Sequence, residues 1–502
     1  MSRVINLRYL TGSWVSVALF SAAVSVPPAV HATESMIFGG GSHVHDSAVR
    51  FENSVRWIGT VLTDKEVIFT THFNDGSRSE PDIVYSVFGQ DDIKPLARVF
   101  GDNDLELLRF RNHVIDNVAT GTRVDELEPA ISARLKDNID EELLFIYSGP
   151  GGYAQTSDEG SSVLLWDSNS LSSTQLQQLL KRHDRPTRFV FGQSHSGDFH
   201  RLAYDDLSSG LALSEVIHCG FTAQSAYGVA EVTAKYQNSN DYRDYLSYFF
   251  SALSGYEYDG QIISRFADLN EDGQTSLREA HLYALEEAIS IDLPLSTSED
   301  YLLRWQPWYL RWQPAQKALP NNEYTRVFRR LANRLDIPLD DTTVRVIRNR
   351  IATDITQKQS LEQRLAEEQA DIIRLQKNLQ KRLIARWPAL ANPYSQGYQN
   401  LINDGKLPLI SSFSEQLQPQ YDKLTTRQTQ TVNTRSEHLE KRRDAAQLQK
   451  LLQLRHLALL KQQLVQYGTE QQIINYRSLL RCEQKPLAPS SPATIVSEET
   501  TQ

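Results

Sequence analysis

Leu143-Leu144-Phe145-Ile146-Tyr147-Ser148-Gly149-Pro150-Gly151-Gly152 is an unbroken apolar run that empties into a turn of small residues. A run this short and this apolar reads as a strand buried on both faces, as parallel sheets require. Phe189-Val190-Phe191-Gly192-Gln193-Ser194-His195-Ser196-Gly197 repeats the build further along. Working outward, the same reading predicts strands at Met36–Phe38, Val67–Phe73, Glu142–Tyr147, Arg188–Gly192 and Val216–Phe221. Helical patterns fall between them at Phe51–Leu62, Glu126–Lys136 and Ser173–Lys181, the last opening on a serine cap. Strands alternating with helices predict an α/β domain over residues 33–293, a mainly parallel sheet with helices on its flanks.

The two quoted turns also carry a resemblance. Tyr147-Ser148-Gly149-Pro150-Gly151 and Gln193-Ser194-His195-Ser196-Gly197 look like the Tyr-Ser-Gly-His-Gly and Asp-Cys-His-Ser-Gly signatures of metacaspases and their legumain-like relatives. Tyr242–Gly255, with Phe249, Phe250 and Leu253, resembles a helix that follows the last core strand in bacterial members. The resemblance runs from Met36 to Leu293 and implies a caspase-like sandwich with a peptidase-like site. In that comparison Pro150 takes the place of the catalytic histidine and Ser194 that of the nucleophilic cysteine. Proline has no titratable group and no backbone donor, so it cannot serve as a general base. A serine hydroxyl needs a base more than a cysteine thiol does. His195 is a poor substitute, because adjacent residues leaving a strand point to opposite sides. Asp198 completes a Ser-His-Asp composition, from which triad geometry does not follow. The expectation is a caspase-like pseudoenzyme; the alternative is an active hydrolase or peptidase using Ser194 or an unrecognised nucleophile. Gly149, Gly151 and Gly152 stay open to two readings: backbone amides offered to a peptide at the strands' carboxyl ends, or a tight turn that glycine permits.

The sharpest local motif is Asp268-Leu269-Asn270-Glu271-Asp272-Gly273-Gln274-Thr275-Ser276-Leu277-Arg278-Glu279, which matches the EF-hand loop pattern at its ligand positions. Oxygens come from Asp268, Asn270 and Asp272, the carbonyl of Gln274, Ser276 directly or through water, and both oxygens of Glu279, for one Ca2+. Gln261–Ala267 is expected as the incoming helix and Leu277–Ile289 as the outgoing one. Thr275 stands where an aliphatic residue is usual and no second loop is visible, which favours a structural site over a sensor. The competing reading is an Asp/Asn/Gly turn that caps a helix. His43, His45 and Asp46 read as a solvated loop rather than a metal corner, since no distant partner can be assigned.

Beyond the α/β region, Trp305, Trp308 and Trp312 with Pro307 and Pro314 mark an aromatic connector, 294–320, read either as inter-domain packing or as a peptide or glycan surface. Residues 321–484 turn to Gln, Leu, Arg, Lys and Glu. Leu361, Leu365, Ile372, Leu375 and Leu379 keep alternating heptad spacing, broken at Glu368. A second helical pattern, about Ser436 to Gln466, makes an antiparallel coiled-coil-like hairpin the expected arrangement, and with it a protein partner or self-association. The Ser/Thr/Pro-rich 485–502 is expected to be a disordered tail. Cys219 and Cys482 are open to two readings, one disulfide or two buried thiols. Arg3 and Arg8 precede an apolar stretch that ends in Val30-His31-Ala32, so 1–32 reads as a signal peptide; Pro27-Pro28 argues against a membrane anchor. The mature chain is therefore expected in the periplasm or secreted, with no membrane span. A net charge of −10 over 502 residues, without a dominant basic block, argues against nucleic acid as a partner.

Overall fold

The computed structural model describes residues 33–488 apart from 77–78, 88–93, 102–106, 138–140, 157–158, 207–210, 234–241, 308–317 and 393. The expected signal segment lies outside the described residues, as do Trp308, Trp312 and Pro314. Among the described residues the α/β part runs β1 (Glu34–Gly39), α1 (Val49–Asp64), β2 (Ile68–Phe73), β3 (Ile83–Val87), α2 (Lys94–Phe100), β4 (Leu107–Arg111), β5 (Val118–Thr120) and α3 (Val124–Lys136). It continues through β6 (Leu143–Ser148), β7 (Gly151–Gly152), β8 (Ser162–Leu165), β9 (Asn169–Ser172), α4 (Ser173–Leu180), β10 (Thr187–Phe191), β11 (His218–Thr222), α5 (Tyr245–Ser254), α6 (Leu277–Glu287), β12 (Leu295–Ser296) and α7 (Thr297–Trp305).

The main sheet has the order β12-β11-β10-β6-β1-β2-β5 among the described residues, parallel except where β12 joins antiparallel to β11. Every residue of β1, β6, β10 and β11 is buried, so apolar residues recur on both faces of these strands, most continuously in Leu143–Tyr147 of β6. Alternation divides them between two cores: Leu143, Phe145 and Tyr147 face the side of α3 and α4, while Leu144 and Ile146 face α1, α5 and α6. The five predicted strands are the five central ones. The cap of α4 is Ser172, whose side chain accepts from Gln175 N–H in a capping box.

The rest of the chain forms α8 (Glu323–Arg334), α9 (Thr343–Arg386), α10 (Gln396–Asn403), α11 (Leu407–Ser411), α12 (Gln418–Tyr467) and α13 (Glu470–Glu483). Helices α9 and α12 pair with each other within the chain and run antiparallel: His438 meets Glu362 at 3.4 Å, Thr434 meets Glu368 at 3.2 Å, and Arg427 meets Asp371 at 3.1 Å. Glu368, the break in the heptad, is buried in this seam and takes Arg364 as well. Gln376 and Gln380 donate to the carbonyls of Arg98 and Val99, so α2 braces the distal half of the arm. Among the described residues no helix is long and apolar enough to cross a membrane.

The residues 321–484 are helical, as expected, and Leu451, Leu454, Leu457, Tyr476 and Leu479 share one core with Cys219, Tyr204 and Leu282, so these helices cover the β11 end of the sheet. Three expectations need correction. The connector begins later than 294, because Leu295–Ser296 is a sheet strand and Trp305, inside α7, is buried with its Nε1 on Gln472. The tail begins later than 485: Pro486 bridges to Ser276 and Leu487 enters the core beneath α6. Gln261–Ala267 is not a helix, because Gly260, at φ +85°, turns the chain back and Tyr256 pairs with Ile262.

Candidate functional site

Strands β6 and β10 are parallel neighbours with Tyr147 opposite Phe191, so their turns leave the sheet at one edge. The turns touch. A Cβ on Gly151 would lie 2.0 Å from the Ser194 carbonyl oxygen, and one on Gly149 would lie 2.6 Å from that of Gly40. None of Gly149, Gly151 and Gly152 has a positive φ; close backbone approach is what requires them. Gly151 and Gly152 form β7 and pair with Val163 and Ser162 of β8.

Pro150 contributes only its carbonyl, which accepts from Tyr147 Oη at 2.9 Å and Leu164 N–H at 3.0 Å. Ser194 is 4% exposed, and its Oγ accepts the Ala230 N–H at 2.9 Å. His195 sits at φ +60° with Nδ1 3.2 Å from the Ala226 carbonyl; burial lowers its pKa, and the Ala226 contact opposes this. Asp198 accepts from Ser161 N–H and Ser173 Oγ. Serine, histidine and aspartate are thus each committed to a different partner. Cys219 is bonded to Cys482, with Cα atoms 6.2 Å apart.

The loop 268–279 closes on its own backbone. Asp268 accepts from Glu271 and Gly273 N–H, Asn270 Oδ1 from Asp272 N–H, and Asp272 Oδ1 from Gln274 N–H. Glu271 and Gly273 take positive φ, as the sharp turn demands. Ser276 caps α6 in a capping box with Glu279. Glu279 is buried, accepting from Leu269 and Asn270 N–H on one oxygen and from Ser276 on the other, with no cationic side chain paired to it among the described residues. The all-oxygen donor set fits a hard cation, and a buried carboxylate without a counter-charge is the kind of group a cation stabilises. The three ligand carboxylates assigned to the loop, Asp268, Asp272 and Glu279, are not drawn to a common point.

Another group is. Asp75, Asp82 and His113 each bring a ligand atom within 4.8 Å of the others, the one such group of carboxylate, imidazole or thiol ligands among the described residues. Asn74, at the carboxyl end of β2, organises it. Its Nδ2 donates to the Asp82 carbonyl at 2.9 Å and to Asp82 Oδ2 at 3.1 Å, while its Oδ1 accepts from Gly41 N–H at 3.0 Å. His113 N–H donates to Asp82 Oδ1 at 2.7 Å, and its Nδ1 lies 2.7 Å from Oδ2. The chain matches no protein-family model and no curated protein. Sequence reading missed this group because its members come from separate segments with no motif spacing. The one signal was the predicted strand Val67–Phe73, whose carboxyl end is where polar side chains gather in such sheets. His43 and Asp46, by contrast, close a local turn: Asp46 Oδ1 accepts His43 N–H at 2.9 Å, and that carboxylate raises the His43 pKa.

Proposed function

We propose that the chain is an exported, catalytically silent protein of caspase-like type that serves as a calcium-stabilised protein-interaction module. The observation that carries the reading is the Ser194 hydroxyl, buried and accepting the Ala230 N–H where a nucleophile would stand, with proline in the place of the base. The Cys219–Cys482 bond supports an oxidising compartment. The paired arm of α9 and α12 offers the contact surface. At its bend Tyr394 is 92% and Leu409 is 73% exposed.

Fluorophosphonate and thiol-directed activity probes are expected to leave the purified protein unlabelled; labelling that disappears in Ser194→Ala overturns the reading in favour of an active hydrolase. Calcium is tested separately. At about a hundredfold excess over Kd the ion is expected to add about 2.7 kcal/mol to stability, seen as a rise in Tm that Asp268→Ala abolishes. A calcium response unchanged in that variant removes the loop from the account.

A further inference from the structure

We propose that Asp75, Asp82 and His113 form a binding site for a divalent ion of the zinc class, separate from the calcium loop. The three residues come from the exit of β2, the start of β3 and the exit of β4, and the fold alone brings them within 4.8 Å of one another. Their chemistry selects the ion. One imidazole nitrogen with two carboxylates suits Zn2+ or Mn2+, whereas Ca2+ takes six to eight oxygens.

Charge points the same way. Asp82 is fully buried, and among the described residues no Lys or Arg is in direct contact with it; its hydrogen-bond partners are His113 and Asn74, with the Arg111 guanidinium acting at longer range. A buried carboxylate without a cationic side chain in contact is the kind of group a bound cation stabilises. The ligands are also oriented in advance. Asn74 and the His113 backbone fix both oxygens of Asp82, and Asn74 is held in turn by Gly41 N–H and by Ser47 Oγ. Outer contacts of this kind set ligand direction at metal centres. Asp75 is the one partly exposed member and gives the ion its way in. Three protein ligands leave a position for water.

A bound ion would lock the neck of the β3–β4 segment, which is already closed by Asp82 N–H on the Arg111 carbonyl at 3.0 Å and carries α2 to the arm. The ion would therefore stabilise the brace of the arm.

The test uses the full mature chain stripped with chelator and titrated with Zn2+ by calorimetry, with Co2+ absorption as a second readout. One Zn2+ per chain is expected, retained in Asp268→Ala and lost in Asp75→Asn, a partly exposed position whose amide keeps the fold. His113→Gln is expected to abolish the Co2+ ligand-field bands, and Asn74→Ala to weaken Zn2+ by about 10–100-fold. Absence of Zn2+ binding, or binding unchanged in both Asp75→Asn and His113→Gln, overturns the proposal.

Discussion

Arg278→Met is expected to lower the unfolding free energy by about 3–5 kcal/mol, the range for removing one partner of a buried ion pair. Arg278, in α6, is 3% exposed and sits among groups from three other helices. Its Nη1 lies 3.0 Å from Glu483 of α13 and 3.2 Å from Glu299 of α7, and its Nη2 donates to Tyr324 of α8. Methionine fills the space but leaves the buried Glu483 carboxylate without a cation and Glu299 with His281 alone. Burial pushes the Glu299 carboxyl up, yet His281 at 3.0 Å and Arg278 pull it below its usual 4.5 to about 2. A depressed carboxylate stabilises above its unfolded pKa, and that stabilisation is lost as pH falls from about 4.5 toward 2. Glu483, raised instead by burial, does not contribute to this acid loss. Urea titration should show a lower midpoint for Arg278→Met with an unchanged m value. In Glu299→Gln the acid dependence should flatten. Arg374→Met, which breaks an exposed pair with Asp371, should cost under about 1 kcal/mol. If the two arginine variants cost the same, the buried network does not hold α6, α7, α8 and α13 together.

Glu483 and Arg278 are also instructive about what a sequence can reveal. They lie 205 residues apart, and neither has a local pattern that names the other. The central strands were legible because burial on both faces leaves a continuous apolar run, as in Leu143–Tyr147. Strand β12 was not, since two residues carry no period and its pairing to β11 depends on tertiary context. The second long helix was expected from about Ser436, just before the regular leucine spacing from Leu439, yet it starts at Gln418. Its first turns are rich in Thr and Gln; Gln428 is buried with its amide on the Arg98 carbonyl of α2 and Thr434 with its hydroxyl on Glu368 of α9, polar contacts invisible to an apolar period. The candidate incoming helix at Gln261–Ala267 failed to the turn at Gly260. At the strand-end turns the residue types were legible, but the reason for the glycines was not: two backbones 43 residues apart in sequence press together, Gly151 against Ser194. The group at Asp75, Asp82 and His113 depends on three strand ends meeting and had no spacing to reveal it.

Cys482→Ser, or reduction of the native protein, is expected to cost about 4–5 kcal/mol. The chain-entropy account scales with the logarithm of the closed loop, and a separation of 263 residues places this bond at the top of the usual range. The native contacts argue in the same direction. Cys219 is central in β11, and Cys482 precedes Glu483, whose carboxylate holds Ser298 and Arg278. Beyond it the carbonyls of Lys485 and Pro486 accept from Arg188, and Leu277 N–H donates to Lys485. The disulfide therefore anchors the segment that closes over the exit of the 268–279 loop at Ser276. Opening it should loosen α13 first, because that helix has few buried residues of its own. Hydrogen exchange should report this as early loss of protection in Glu470–Glu483 while β6 and β10 stay protected. If the loop holds calcium as proposed, Cys482→Ser should bind it more weakly, since Ser276 and Leu277 at the loop exit lose the segment that pairs with them. Coincident urea midpoints for oxidised and reduced protein would show that α13 is held by packing and charge alone.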